Sequence, residues 1–405
     1  MPRDKLTDLI KRHAITLKAH EYYFGRKKLS KIELILPAGY EGTEWILLPR
    51  EALEQLEKEL RLTELTLRLC YGKYLSAAFY KELKDQLSLD EKIELSYRVI
   101  EEALRVMKTH CKSQVVAVAF SGGKASTVTL KLVVDVLQQC DPDLLKEKFI
   151  VYYNDTGNEF PENTPYVIEF VKKYLRLPKL VIVRPKLPQL KPFVIWRTFG
   201  FPPESRYHYR EPVCCMLLKK LPAILTIIKY NVDLRFLGLQ VFESRGRLAM
   251  LERTGLLTEH SCIGHICLDR WFYECAPVAF WSESDIWMYI ERENLPVNPV
   301  YDRYGIDRQG CMFCTNHMGW DKRIRHVLVD VLKRPQTWEW FMKVYRQWGV
   351  QKERVTLLKA LERLGLLDLI RKWMRREGKL KDNKKKLTIR EILPYLERLY
   401  VFKEL

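Results

Sequence analysis

The feature that most constrains the fold is an apolar stretch, residues 115–120, that runs directly into Ser121-Gly122-Gly123-Lys124 and then into a segment with helical spacing. This order predicts a strand followed at once by a helix. The first N–H groups of a helix lack partners within it and carry a partial positive charge, so they attract anions. Glycine allows the backbone to approach phosphate oxygens, and Lys124 adds a charge. We therefore predict a phosphate-binding loop, although a tight capped turn is compatible with the same residues.

Two hydroxyl groups, those of Ser121 and Ser126, complete the predicted phosphate site. The spacing of the loop differs from that of the Walker loop, which has four residues between its first glycine and its Gly-Lys pair. The motif therefore indicates a phosphate-binding loop of another class.

Near-continuous apolar strands alternate with helical segments along the middle of the chain. Strands are predicted at five segments: residues 115–120, 149–154, 179–184, 235–239 and 278–281. This alternation is typical of the α/β class and indicates a doubly wound parallel sheet. In such sheets the ligand binds beyond the carboxyl ends of the strands, so we expect the loops that begin at Ser121, Asp155 and Leu239 to meet at one pocket.

The chain of 405 residues is too long for one ordinary hydrophobic core, and we predict three parts. Residues 1–90 form an α+β accessory domain, residues 91–323 the nucleotide-binding α/β domain, and residues 324–405 a basic helical region. Of the net charge of +18, most lies near the carboxyl end, because residues 321–405 hold 23 Lys and Arg against 11 Asp and Glu. Such clustering is typical of proteins that bind phosphate backbones, although a solvated helical face has the same composition.

No uncharged apolar run approaches the roughly 20 residues of a membrane span, and the first residues lack the apolar core of a signal peptide. We therefore expect a soluble cytoplasmic protein with no membrane partner. Charged residues make up 30% of the chain while Asn and Gln are scarce, a balance that is typical of thermophilic proteins. Some of the surface lysines can then serve ion-pair networks.

Four of the ten cysteines fall into two close pairs. Cys214 and Cys215 open a predicted helix, whereas Cys311 and Cys314 lie in a loop that follows a glycine. Four thiolates are the complement of a [4Fe–4S] cluster or of a structural zinc ion. Adjacent cysteines suit zinc poorly because neighbouring side chains diverge. Lys219 and the amino terminus of the helix would stabilise the thiolates.

A third group of cysteines has looser spacing: Cys262, Cys267 and Cys275, with His260 and His265 beside them. A second metal site and a redox-active loop are both compatible with this pattern. Ordinary thiols agree best with such irregular spacing.

Two further loops follow predicted strand ends. The first contains Asp155-Thr156-Gly157, whose carboxylate suits ribose hydroxyls or an adenine amine. The second contains Glu243-Ser244-Arg245-Gly246-Arg247, and its guanidinium groups match the oxygens of phosphate or sulfate bidentately. Each loop is also compatible with an ordinary capped turn.

Together these motifs resemble the phosphoadenosine phosphosulfate (PAPS) reductase family over roughly residues 115–317. The resemblance rests on motifs that occur in the family's order: Ser121-Gly122-Gly123-Lys124, Asp155-Thr156-Gly157 with Phe160-Pro161, Cys214-Cys215 with Lys219, Gly238 with Glu243-Ser244 and Arg247, Trp281 with Asp285-Ile286-Trp287, Leu295-Pro296-Val297-Asn298-Pro299-Val300-Tyr301-Asp302, and Cys311 with Cys314. It implies an adenine-nucleotide alpha-hydrolase-like fold with a PP-loop. The two cysteine pairs resemble those of the cluster-bearing adenylylsulfate reductases, which implies a [4Fe–4S] cluster on these four residues.

The chain departs from the family's pattern at three places. The family's Ser-Gly-Gly-Lys-Asp-Ser is Ser-Gly-Gly-Lys-Ala-Ser here, so Ala125 removes a carboxylate. Gln240 stands where the family often has an arginine. The assimilatory reductases end in a Glu-Cys-Gly-Leu-His segment whose cysteine attacks sulfur, whereas no cysteine follows Cys314 here. The nucleophile would then be Cys262 or Cys267, or an external thiol.

Three functions agree with these features. The favoured one is a sulfonucleotide reductase with Lys124, Cys262 and Cys267 as catalytic residues and with a thiol reductant, such as a thioredoxin-like protein, as partner. Its nucleotide would contact three sets of residues: the loop of Ser121, Gly122, Gly123, Lys124 and Ser126, then Asp155 and Gly157, then Glu243, Ser244, Arg245 and Arg247. An ATP-dependent sulfurtransferase that uses magnesium with ATP and binds tRNA or DNA through the basic region is the second. A non-catalytic nucleotide- or nucleic-acid-binding module is the third.

Overall fold

The computed structural model describes the backbone of residues 16–24, 27–35, 50–72, 75–204, 211–243, 245–263, 266–380 and 386–405. An antiparallel hairpin, β1 (Thr16–Phe24) and β2 (Lys27–Ile35), precedes the long helix α1 (Arg50–Tyr71). These elements lie within the predicted accessory domain, and their mixed type agrees with the α+β expectation for that part of the chain.

Seven strands of the described chain form the central sheet. Their bounds are β3 (Val115–Ala119), β4 (Phe149–Asn154), β5 (Leu180–Pro185), β6 (Val232–Leu237), β7 (Leu257–Ile263), β8 (Ile266–Cys275) and β9 (Tyr400–Glu404). They lie in the order β7-β8-β6-β3-β4-β5-β9, with the five central strands parallel and with β7 and β9 antiparallel at the two edges. This arrangement confirms the predicted α/β class and its largely parallel sheet.

Helices connect and cover the strands. In chain order they are α2 (Ala77–Gln86), α3 (Leu89–His110), α4 (Lys124–Cys140), α5 (Pro142–Glu147), α6 (Asn163–Ile168) with a π-helical extension (Glu169–Tyr174), α7 (Pro192–Phe199), α8 (Val213–Cys215), which a π-helical turn (Met216–Lys220) joins to α9 (Leu221–Lys229), α10 (Arg245–Thr254), α11 (Glu283–Arg292), α12 (Val300–Tyr304), α13 (Trp320–Arg325) with a π-helical extension (His326–Val331), α14 (Pro335–Trp348), α15 (Leu357–Arg363), α16 (Leu366–Arg376) and α17 (Ile389–Leu396). Among the described helices, none is both long enough and apolar enough to cross a bilayer.

Both faces of the central sheet are buried, which explains why its strands are almost continuously apolar. Successive side chains of a strand point to opposite faces. Val116 and Val118 accordingly pack into one core, with α3 and α4, whereas Ala117 packs into another, with α9 and the carboxyl-terminal helices.

The carboxyl-terminal helices share their core with the central sheet. Ile370, Leu396 and Tyr400 belong to the same hydrophobic cluster as Ala117, and β9 pairs with β5 as a strand of the sheet. The described part of residues 357–405 is therefore packed onto the α/β fold. The domain boundaries drawn at residues 90 and 323 remain predictions.

The strand predicted at residues 278–281 is a turn. Val278 and Trp281 are completely buried, so this short segment resembles a core strand in sequence. Its backbone instead bonds to the loop after β6, because Val241 N–H donates to Ala279 O at 2.9 Å and Gln240 Nε2 donates to Trp281 O at 3.0 Å. On the side of β6 away from β3, the neighbouring strand is β8, which ends at Cys275. Gln240 is thus a buried structural amide.

Candidate functional site

The loop between β3 and α4 has the conformation that its glycines allow. Gly122 has a φ of +80°, and a Cβ at this position would lie 2.5 Å from Oδ1 of Asn163. Gly123 precedes α4 and makes no side-chain cap. Both backbone conformation and available space therefore require glycine at position 122.

The end of β6 lies directly against the first turn of α4. A Cβ on Gly238 would be 2.6 Å from both N and Cα of Ser126. The hydroxyl of Ser126 donates to the Gly123 carbonyl at 2.8 Å and lies 3.1 Å from the hydroxyl of Ser121. The strand ends of β3 and β6 thus meet at the phosphate loop, as predicted for parallel sheets.

Two buried amides hold the carbonyl groups of this loop. Asn163 Nδ2 donates to Ser121 O at 3.1 Å, and Asn298 Nδ2 donates to Gly122 O at 2.8 Å. The two side chains also bond to each other at 2.7 Å. Because the carbonyl groups of Ser121 and Gly122 accept these hydrogen bonds, the loop conformation is fixed before a ligand binds.

Lys124 is already engaged by the protein. Its ammonium group lies 2.7 Å from Oε1 of Glu283, bonds to the carbonyl of Asp307, and approaches the ring of Trp287 at 5.7 Å. The backbone N–H of Lys124 donates to the hydroxyl of Tyr301 at 2.9 Å. A bound phosphate would therefore compete with Glu283 for this charge.

Residues 306–310 contact both the phosphate loop and the predicted anion-binding loop that contains Glu243 and Arg247. The carbonyl of Asp307 accepts from Lys124, and Nε of Arg308 lies 2.9 Å from Oε1 of Glu243. Glu243 also pairs with Arg247. Ser244 lies outside the described residues, and Arg245 is placed by its backbone as the first residue of α10.

Asp155 has both carboxylate oxygens bonded within the protein. Oδ1 accepts from Gly157 N at 3.0 Å, and Oδ2 accepts from Arg184 Nε at 2.7 Å and Thr164 Oγ1 at 3.2 Å. These bonds shape the loop, and Gly157 has the positive φ of +73° that the turn requires. Contact of Asp155 and Gly157 with a nucleotide remains a prediction.

The four paired cysteines line one small cavity together with Lys219. Cys214, Cys215, Cys311 and Cys314 are all free thiols. In the described part of the chain, no three His, Cys, Asp or Glu side chains gather round one point closely enough to hold a single metal ion. A four-iron cluster takes one cysteine on each iron, so its ligands surround a larger group, and this donor set fits it.

The four thiols of the cavity differ in how readily they ionise. Nearby Cys311 raises the pKa of Lys219, so this buried ammonium stays charged. Burial raises the pKa of Cys311 to about 12. Between the adjacent thiols, their mutual hydrogen bond raises the pKa of Cys214 and lowers that of Cys215, which Lys219 lowers further. Cys215 is therefore the thiol of this pair that ionises first.

Glu159 lies between the cysteine cavity and residues 306–310, and its role was not identified from the sequence. Its carboxylate accepts from Thr156 Oγ1 at 2.8 Å and from Gln309 Nε2 at 3.5 Å, and Cys311 Sγ lies 3.9 Å away. Burial raises the pKa of Glu159. The side chain thus connects the Asp155 loop to the cysteines.

An excess of positive charge surrounds His317. Burial lowers the pKa of this imidazole to about 3, and Arg308, Arg323, Lys219 and Arg247 lower it in addition. Burial also lowers the pKa of Arg308 and Arg323. Nη2 of Arg323 is buried and has no hydrogen-bond partner in the structure. We call these four cations with His317 the cationic pocket. Arg308 and Arg247 share one carboxylate, that of Glu243, so the cations outnumber it and the composition suits an anion.

Arg247 and Lys219 were predicted site residues, whereas Arg308, Arg323 and His317 were not predicted from the sequence. Arg308 and His317 each lie three residues outside the Cys311–Cys314 pair, and Arg323 lies in α13. Their short distance in sequence from Cys311 and Cys314 was the signal that could have identified them as site residues. Their convergence depends on the irregular path of residues 306–319, which no periodic pattern indicates.

The depressed pKa of His317 predicts a loss of stability in acid. The unfolded chain binds a proton at a pKa near 6.5 and the folded chain only near 3, so the free energy of unfolding should fall as the pH drops below 6.5, by up to about 1.4 kcal/mol per pH unit. His317→Gln should lessen this fall in denaturant titrations at pH 7 and pH 5. Phosphate should lessen it too, by balancing the cations. Identical pH dependence in both proteins would contradict the proposed environment of His317.

The strand register places Cys262 and Cys267 away from this site. They are backbone partners near the turn between β7 and β8, whereas Cys275, at the other end of β8, pairs with Phe236 at the carboxyl end of β6. At about 3.3 Å per residue, the backbones of Cys267 and Cys275 are about 26 Å apart along β8. This topology argues against direct attack by either predicted nucleophile on a nucleotide at the phosphate loop.

A larger groove of about 690 Å³ runs beside α6, lined by Tyr166, Phe170 and several prolines. Its Tyr166 hydroxyl donates to Pro296 O, and its Glu162 pairs with Arg303. These polar groups therefore serve the fold.

The largely parallel sheet and the loop that follows β3 define a fold of the adenine-nucleotide alpha-hydrolase-like type. The chain matches the phosphoadenosine phosphosulfate reductase domain over residues 115–317, half of its length, and it belongs to that family. This match confirms the family resemblance of the sequence motifs.

Several characterised and uncharacterised proteins are similar in sequence. The uncharacterised protein MJ0066 of Methanocaldococcus jannaschii is 28% identical over 243 residues, which cover 58% of this chain and 42% of MJ0066. An adenosine 5'-phosphosulfate reductase of Halalkalibacterium halodurans is 30% identical over 185 residues, 45% of this chain and 68% of the reductase. The chain thus matches less than half of MJ0066.

Two solved structures are similar to this chain at low identity. A PAPS reductase from Candida auris matches with a TM-score of 0.33 and 16% identity, covering 56% of this chain and 92% of the reductase. A U34-tRNA thiolase from Methanococcus maripaludis, solved with its [4Fe–4S] cluster, matches with a TM-score of 0.32 and 15% identity, covering 66% and 89%.

Proposed function

We propose that this protein is a sulfonucleotide reductase that converts PAPS or adenylylsulfate to sulfite with a thiol as reductant. The cationic pocket carries this proposal, because it adjoins the four-cysteine cavity through Lys219 and the phosphate loop through the segment that contains Arg308. An activated sulfate has anionic phosphate and sulfate groups side by side. A site with an excess of buried cations beside a helix amino terminus is suited to both.

In this proposal the nucleotide phosphate lies at the amino terminus of α4 and the sulfate lies among the cations. Arg308 and Arg323 offer planar guanidinium groups that match the oxygens of sulfate. His317 is neutral at pH 7 because its pKa is about 3, so it offers a hydrogen bond without a charge. The unpartnered Nη2 of Arg323 would gain its acceptor from the ligand.

The reaction itself needs a thiolate and a leaving nucleotide. The thiolate sulfur would bond to the sulfate sulfur while the bond from that sulfur to the phosphate oxygen breaks, and the nucleotide leaves with the electron pair. A second thiol then attacks the sulfur of the first thiol. The two thiols form a disulfide, and sulfite leaves with the electron pair of the broken S–S bond. Sulfur is reduced by two electrons and the two thiols are oxidised by two. The cations stabilise the charge that develops on the leaving phosphate.

Cys214, Cys215, Cys311 and Cys314 would hold a [4Fe–4S] cluster, which would supply redox-active iron and fixed charge next to the sulfate. Lys219, which lies among these thiols, would balance their negative charge. Because the register keeps Cys262 and Cys267 at the far end of β8, the proposed nucleophile comes from an external thiol such as that of a thioredoxin-like protein.

The deciding experiment measures sulfite from adenylylsulfate and from PAPS, with a dithiol reductant and without ATP. We expect sulfite from at least one of them. The variant lacking both Cys262 and Cys267 should retain the rate, whereas Arg308→Gln should lower kcat/KM by roughly tenfold to a hundredfold, the range for a lost hydrogen bond to a charged group. Arg303→Gln is the matched control, because Arg303 pairs with Glu162 at the surface. Absence of sulfite from both substrates would contradict the proposal.

A second candidate, an ATP-dependent sulfurtransferase acting on tRNA or DNA, is favoured by the surface of α16. Its Lys372, Arg375 and Arg376 are exposed, whereas its Ile370 and Met374 are buried. One face of this helix is therefore a basic stripe, as a phosphate backbone requires.

The second candidate predicts release of AMP and pyrophosphate from ATP and magnesium, stimulated by nucleic acid, with no sulfite. Replacing the three basic residues of α16 with Gln should weaken tRNA binding and flatten its dependence on salt. Truncating the chain before α16 is unsuitable as a test, because the truncation would also remove Leu396 and Tyr400, which belong to the core of the sheet. Turnover of none of the three nucleotides would favour the non-catalytic binding module.

A further inference from the structure

Lys124 already has an anionic partner in the free protein. Its ammonium group lies 2.7 Å from Oε1 of Glu283. The first turn of α4 reads Lys-Ala-Ser-Thr, so this carboxylate comes from another element, α11, whose first residue is Glu283. A carboxylate therefore lies at the charge that a nucleotide phosphate would use.

Other contacts hold the ammonium group of Lys124 beside the loop. It donates to the carbonyl of Asp307, and the rings of Trp287 and Tyr301 lie 5.7 Å and 5.4 Å away. These two rings meet edge-on with 5.3 Å between centroids, so they form one wall. The backbone N–H of Lys124 also donates to the Tyr301 hydroxyl at 2.9 Å. The lysine can thus keep its position when the carboxylate leaves.

The two partners of the ion pair differ in exposure. The side chain of Lys124 is 11% exposed, whereas that of Glu283 is 59% exposed. The carboxylate can therefore turn into water while α11 stays in place. Ion pairs with so exposed a partner stabilise a protein only weakly. This contact is suited to break and form again, with Glu283 as the group that moves.

We propose that Glu283 is a displaceable counterion, which pairs with Lys124 in the free protein, is displaced by the nucleotide phosphate, and pairs with Lys124 again as the product nucleotide leaves. The inference rests on the proposed nucleotide site at the phosphate loop. Because one anion replaces another, the charge of Lys124 is balanced in both states. The returning carboxylate lowers the affinity for the product and so speeds its release.

The test compares Glu283→Gln with Glu291→Gln by isothermal titration of ADP. Glutamine keeps the size of the side chain and removes its charge, and Glu291 is an exposed carboxylate on the same helix. We expect Glu283→Gln to bind ADP roughly twofold to fivefold more tightly than the natural protein, the range for a partly exposed ion pair. The gain should come from slower dissociation, measured by stopped-flow displacement of a fluorescent ADP analogue. Glu291→Gln should bind ADP with natural affinity.

The dependence of the affinity on salt separates displacement from a structural effect. In the natural protein ADP replaces Glu283 at Lys124, so salt weakens the ion pair that is lost as well as the one that is gained. In Glu283→Gln this compensation is absent, and the affinity should fall more steeply as salt is added.

Weaker or equal binding of ADP by Glu283→Gln, or an unchanged dependence on salt, would overturn the proposal. Absence of ADP binding by both the natural protein and Glu283→Gln would overturn it too, together with the nucleotide site. A protein that binds ADP as expected and makes no sulfite would contradict the reductase reaction alone.

Discussion

Replacing Cys311 with serine should abolish the iron and sulfide content of anaerobically purified protein, with loss of its brown colour. Cys311 lines the cavity that the other three paired cysteines also line, and a serine hydroxyl is a poor ligand for iron that prefers thiolate. Cys214→Ser should have the same effect. Elemental analysis and absorption spectra of the variants would measure it against about four irons in the natural protein, the content of this cluster class.

Cys275→Ser is the matched control for loss of a buried thiol. Cys275 is 1% exposed at the end of β8 and packs in the apolar core of the sheet, outside the cavity. Its substitution should lower stability while leaving the iron content intact. One zinc ion per chain, with no iron, would contradict the cluster and would require the four sulfurs to close round a single ion.

Gly238→Ala should lower nucleotide affinity by roughly tenfold to a hundredfold. The new Cβ would lie 2.6 Å from N and Cα of Ser126, and a backbone obstacle of this kind cannot rotate away as a side chain can. The first turn of α4 must shift, and overpacking of this kind costs about 1–3 kcal/mol. Isothermal titration of ADP or adenylylsulfate into the variant measures the loss.

Gly365→Ala provides the comparison for that experiment. Gly365 has a φ of +69° and open space where its Cβ would be, so alanine introduces backbone strain without a clash, at a residue that precedes α16. We expect reduced stability with natural affinity. Equal affinity in the Gly238→Ala protein would show that the first turn of α4 does not hold the nucleotide.

The sequence predicted the features that depend on local pattern and on motifs. The strand and helix around Gly122 and the gathering of the two cysteine pairs were both anticipated, because glycine conformation and metal-ligand spacing have direct sequence signatures. The edge strands β7 and β9 were not anticipated, since their pairing depends on partners distant in the chain. The buried turn at residues 278–281 was mistaken for a strand because burial, rather than sheet pairing, explains its apolar residues.

The roles of charged side chains were harder to predict than their presence. Asp155 was expected at the nucleotide, yet its oxygens are occupied by Arg184, Thr164 and the loop backbone. Lys124 was expected at the phosphate, and Glu283 competes for it. Which of several possible partners a charge takes is decided by tertiary packing, and a one-dimensional pattern does not contain that information.

The pairing of β5 with β9 has a consequence for how the chain folds. Val181 pairs with Glu404, so this contact closes a loop that contains β6, β7, β8 and the carboxyl-terminal helices. Loop closure over such a distance is entropically slow, and until it occurs β5 presents an unpaired apolar edge that can join another chain. Refolding yield should therefore depend on protein concentration, with aggregation through the β5 edge as the competing reaction.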